Sequence, residues 1–137
     1  MAVLLMEILA LAATLLVFIF LLRRNLASSK RADAALNVLL AKHAFSRSSP
    51  DEQGTIALRA RALMAERGHA PEFQGEVDRY GWYALAMKEL GMSPGVKGFK
   101  DWKSIGNPST AIGAGDPLLR TAASLLKSKC GIDVELR

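Results

Sequence analysis

The sequence predicts an all-α protein: one N-terminal transmembrane helix, then a small bundle of about four helices with a long loop containing glycine and proline. Three observations predict it. An apolar run extends from Ala2 to Leu22, cap-plus-proline signals stand at Ser49-Pro50 and Asp116-Pro117, and apolar side chains recur at helical spacing between glycine stops. The implied organisation is a transmembrane anchor over 1–22, a juxtamembrane amphipathic helix over 23–47 and a small helical domain over 48–137.

The anchor reads AVLLMEILALAATLLVFIFLL, with Glu7 as its one ionisable side chain. About 20 apolar residues of helix cover the roughly 30 Å hydrocarbon core of a bilayer. Each central Leu, Ile, Phe or Val favours insertion by about 0.3–0.6 kcal/mol. Glu7 lies near one end, where a carboxylate reaches the headgroups at far lower cost than at the centre. It is also a candidate intramembrane contact with another helix, with the small residues Ala10, Ala13 and Thr14 on nearby turns. A secretory signal peptide carries its positive charge before the apolar stretch. Here no Lys or Arg precedes Arg23, while Arg23-Arg24, Lys30 and Arg31 follow. The expectation is a retained single-pass anchor in the cell membrane, N-terminus outside and the remainder cytoplasmic, because flanking positive charge stays on the cytoplasmic side.

The chain carries 18 Lys and Arg against 13 Asp and Glu, a net charge of +5. Glu7 is the only charged side chain before Arg23, so the basic excess belongs to the remainder, where it is scattered among acids. That balance suits a domain held near anionic membrane lipids, which are an expected partner through the anchor, and it equally permits nucleic-acid contact, since scattered charge does not choose between them. The single cysteine, Cys130, excludes an intramolecular disulfide and fits a reducing compartment. His43 and His69 have no cysteine or acidic cluster at ligand spacing, and neither a metal nor a cofactor is expected.

Past the anchor, Asn25 to Arg47 reads as helix, with Leu36, Leu39, Leu40 and Ala44 at helical spacing and Arg31, Lys42 and Arg47 on other faces. Ser49 caps the next helix, with Pro50 at its first position and Glu52 placed to complete a capping box. The helix runs through Ile56, Ala60, Leu63 and Met64, and Gly68 stops it. Pro71 to Leu90 reads as a third helix with the stripe Phe73, Val77, Tyr80, Ala84 and Met87, and with Trp82 and Leu85 on a flank. Gly81 costs roughly 1 kcal/mol against Ala inside a helix, and a close helix crossing is the usual compensation. From Met92 to Gly115, glycine and proline argue against a continuous element, with a short helical turn expected within 96–104. Asp116-Pro117 opens the last helix, carried by Leu118, Leu119, Ala122, Leu125 and Leu126 to Lys129 and stopped by Gly131.

No residue earns a catalytic role. Glu72 and Glu76 stand at i, i+4 like a carboxylate pair, but with Arg79 and Lys88 nearby they read as a solvated face. Cys130 lies near a helix C-terminus, whose dipole disfavours a thiolate. Gly113-Ala114-Gly115-Asp116 resembles a phosphate cradle, yet the Asp116 carboxylate occupies the helix start and Pro117 removes a donor. The candidate contact surface is Lys97, Phe99, Lys100, Trp102 and Lys103, together with Trp82 and Tyr83. Aromatics rimmed by charge are typical of partner hot spots, a membrane interface is a second destination, and folding back over the core is the plain one. Stacking on nucleic acid uses similar residues, but no RNA-binding signature accompanies them and nucleic acid is not an expected partner.

The expected function is a membrane-anchored, non-enzymatic accessory or adaptor protein whose cytoplasmic domain binds a larger membrane protein assembly. The alternative is a small membrane-bound enzyme or ligand-binding domain with a pocket under the 92–115 loop. A membrane-active toxin or lysis factor is a third reading, for which the helical domain is superfluous.

Overall fold

The computed structural model describes residues 2–136, with the backbone alone of residues 23–29, so the Arg23-Arg24 side chains lie outside the described residues. The regular elements are helices: α1 (Ala2–Arg47), α2 (Pro50–Glu66), α3 (Glu76–Glu89), α4 (Pro108–Ala111) and α5 (Pro117–Cys130). The chain divides into two units, residues 1–30 and 31–137.

In the first unit, Ala2–Leu22 is a 21-residue helical stretch long and apolar enough to cross a membrane. Its large apolar side chains are exposed from Val3 to Leu22. The Thr14 hydroxyl donates to the Ala10 carbonyl at 2.9 Å, which satisfies its polar group inside the helix.

The second unit is built around the C-terminal part of α1. Every residue from Ala35 to Ala41 is buried, around the whole circumference of the helix. The one-sided apolar stripe expected here is therefore incorrect. The reason is that two layers flank the helix. One cluster joins Ala35, Leu36, Val38, Leu39 and Leu40 to Val96, Ile112, Leu119, Leu126 and Val134. The other joins Ala41 to Ile56, Leu63 and Met64 of α2 and to Trp82 and Met87 of α3. Asn37, at 3% exposure, is enclosed with them. Its amide donates to the Lys103 carbonyl at 3.3 Å and accepts from the Lys103 N–H at 3.0 Å, so both its groups are paired.

Ser49 and Glu52 form the expected capping box at the start of α2, and Ile56, Ala60, Leu63 and Met64 are its buried residues. The third helix starts later than expected. Gly75 has φ 155°, outside the range of a helix, and α3 begins at Glu76. Ahead of it, the Gln74 N–H donates to the Asp78 carboxylate at 3.0 Å. Phe73 lies edge-on to Tyr83 at 5.4 Å between ring centroids. Within α3, Val77, Gly81, Trp82, Tyr83, Ala84, Ala86 and Met87 are all buried, so it too is covered on more than one side. A Cβ on Gly81 would stand 3.1 Å from the Pro108 Cβ, which is the close crossing that glycine at this position permits.

The loop's short helix is α4 at 108–111, not a turn within 96–104, where a Val96–Phe99 bridge closes the chain instead. Asn107-Pro108 carries the cap-plus-proline signal: the Asn107 side chain accepts from the Ser109 N–H. Asp116 caps α5, and Gly131 ends it in the left-handed conformation at φ 67°. Beyond it, Val134 is buried and the Lys42 ammonium donates to the Glu135 carbonyl, which holds the tail against the bundle.

Candidate functional site

The expected contact residues separate into two groups. Trp82 is wholly buried, and its indole N–H donates to the Ser109 hydroxyl at 3.1 Å. That hydroxyl donates in turn to the Asp78 carboxylate at 3.1 Å. Tyr83 is 6% exposed, between Phe45 at 4.8 Å and Phe73 at 5.4 Å. Their assignment to a partner surface is corrected: α3 lies inside the bundle, and its rings are core. Trp102 is half-buried, packs against both apolar clusters, and donates from its indole N–H to the Met92 carbonyl at 2.7 Å. It holds the loop down.

What remains at the surface is Lys97, Lys100 and Lys103, all exposed, with Phe99 half-buried against the first cluster. Tertiary structure adds neighbours that local sequence does not reveal. The Cys130 thiol donates to the Lys97 carbonyl at 3.4 Å, so the last turn of α5, with exposed Lys127 and Lys129, abuts the loop. Lys127 lies one turn before Cys130 on the same helix face. The contact spans 33 residues of sequence, which no local pattern encodes.

Glu7 is exposed on the first unit's helix. Glu72 precedes α3, so it shares no helix face with Glu76, and the expected i, i+4 pair is corrected. The Glu76 carboxylate instead accepts from Lys42 at 3.2 Å. The Gly113–Asp116 turn is a cap: the Asp116 carboxylate accepts from the Leu118 N–H at 3.0 Å. Arg31 reaches the same group at 2.6 and 3.1 Å. The Leu118 N–H and the Arg31 guanidinium hold the Asp116 carboxyl below its ordinary value. Burial, with a smaller contribution from Arg47, lowers the His43 imidazole. Burial, then the neighbouring Glu76, raises the Tyr80 phenol.

Two clefts run along α5. One, about 730 Å³, is lined by Leu39, Ala114, Asp116, Arg120, Val134 and Glu135 among others. The second, about 580 Å³, lies between α1 and α5, with Ala32, Leu36, Leu118, Ala122 and Leu125 along it and a mainly apolar wall. Leu118 and Leu125 are half-buried there. The 92–115 loop turns Val96, Pro108 and Ile112 into buried positions, so its own side chains fill space beneath it. Comparison with known protein families, with curated proteins and with solved structures finds no match.

Proposed function

We propose that the chain is a single-pass membrane accessory protein whose cytoplasmic helical domain docks onto a larger membrane protein assembly. One observation carries the reading: the exposed apolar helix Ala2–Leu22 belongs to a chain whose second unit has a core of its own. An uncovered apolar helix of that length finds its stable environment in a bilayer. Arg23, Arg24, Lys30 and Arg31 after it orient residues 31–137 to the cytoplasm. The apolar groove beside Leu118 and Leu125 supports docking, because it offers a partner's apolar side chain a place out of water. Trp82, Tyr83 and Trp102 take no part in that contact.

The test is purification of the tagged full chain from membranes in mild detergent, with Leu125→Glu alongside. A stoichiometric membrane protein retained by the parent chain and lost in the variant is the expected result. A parent chain that purifies alone removes the accessory reading. A second reading, a ligand-binding domain, is favoured by the 730 Å³ cleft, whose size is within the usual range of small-molecule sites. The cleft lies along α5 and the tail and takes Ala114 and Gly115 from the end of the 92–115 loop. A thermal-shift screen that raises the melting temperature in the parent chain but not in Arg120→Ala supports that alternative.

A further inference from the structure

We propose that Lys97, Lys100, Lys103 and Lys127 form one face that binds the anionic headgroups of the bilayer holding the chain; this rests on reading Ala2–Leu22 as a membrane anchor.

The four side chains come from two segments far apart in sequence, and all four are exposed. The ion pairs of the described residues engage Arg31, Lys42 and Arg59, and none of these four. Asp101 and Asp133 are the only acids in segments 97–103 and 127–133, so the face keeps a clear positive excess. It is also held in shape. Asn37 clips the Lys103 backbone through two hydrogen bonds, the Val96–Phe99 bridge closes the turn, and Cys130 ties the Lys97 carbonyl to α5. Lys127 also complements the C-terminal dipole of α5, which is reason enough for that one. The three loop lysines stand at no helix end, and the dipole does not account for them.

Lipid fits this face better than protein. Protein interfaces are depleted in lysine and centre on aromatic or arginine anchors. Here the adjacent rings of Phe99 and Trp102 are packed onto the core, leaving lysines without an anchor. Diffuse attraction to an anionic leaflet needs only the lysines, each adding to the total. Residues 23–30, even fully extended, span at most about 30 Å, so the second unit is kept at high effective concentration near headgroups. The positive-inside orientation makes the facing leaflet the anionic one.

The experiment uses the full chain in nanodiscs of phosphatidylcholine alone, or with roughly one third phosphatidylserine. Acylation rates of individual lysines are read by mass spectrometry, with exposed Lys88 on α3 as the internal reference. The expected result is that all four lysines slow about fivefold relative to Lys88 in the anionic discs. The protection should vanish at high salt as the screening length contracts. The triple variant Lys97→Gln, Lys100→Gln, Lys103→Gln, with unchanged circular dichroism, should restore the rate of Lys127. Equal rates in the two lipids overturn the proposal. Slowing that is the same in both lipids and indifferent to salt also overturns it, and points to contact between protein chains. Alkaline carbonate extraction separates the premises: a chain released by carbonate is not anchored, and both readings fall. A chain that resists carbonate but shows equal lysine rates loses this inference alone.

Discussion

Single side chains do more here than their exposure classes imply. Asn37 is an amide placed in an otherwise apolar run of α1, and its two hydrogen bonds fix the register of the 92–115 loop. Asn37→Ala strands the part-buried N–H and C=O of Lys103, so it should cost about 1 kcal/mol in urea denaturation and speed amide exchange in the loop. His43 supplies a pH dependence. Its folded pKa is depressed from 6.5 by burial, so below that value the unfolded chain binds more protons than the folded one. Stability should therefore decline as pH falls through and below 6.5, and a pH series of melting temperatures on His43→Gln should flatten that step. Asp116 has the carboxylate form of the same effect: its contribution is present above about 3.8 and lost as pH falls through its lower folded value. At this scale the sequence named Asp116 as a cap correctly, because capping is a local rule. It misplaced Trp82 and Tyr83, because which face of a helix meets water depends on what packs against it.

Among the elements, those with local start and stop chemistry were legible. The capping box Ser49–Glu52 starts α2 where the sequence places it, and Ser49→Ala should lower stability by about 1 kcal/mol, read as a shift in urea midpoint without a change in slope. The α3 start was misread because Pro71 is a permissive signal for helix, whereas Gly75 at φ 155° is a barrier to it. The crossing at Gly81 was anticipated, although its partner, Pro108 on α4, was not. Gly81→Val should cost about 1–3 kcal/mol, since its side chain has to displace α4. The Trp82–Ser109 hydrogen bond lies across that contact, so the indole N–H resonance of Trp82 in an NMR spectrum should shift with it.

For the whole molecule, the two units make separable demands on their surroundings. Residues 31–137 enclose two apolar clusters, so that segment expressed without the first 30 residues should remain in the high-speed supernatant and melt cooperatively. A segment that aggregates or lacks a thermal transition would show that its core depends on the first unit. The full chain should instead pellet with membranes, because Ala2–Leu22 exposes its apolar side chains throughout.

The sequence by itself determined the all-helical class, the apolar first helix and the caps of α2 and α5. Each depends on composition, on a period of 3.6, or on side chains within a few residues of one another. Tertiary structure alone decided that α1 runs through the middle of its bundle, that Asn37 holds the loop and that Trp102 bridges two clusters. It also brought the last turn of α5 against the loop, through the Cys130 thiol and the Lys97 carbonyl. These are contacts between segments many residues apart. Their free energy comes from burying apolar surface and pairing buried polar groups, and both depend on which segments meet.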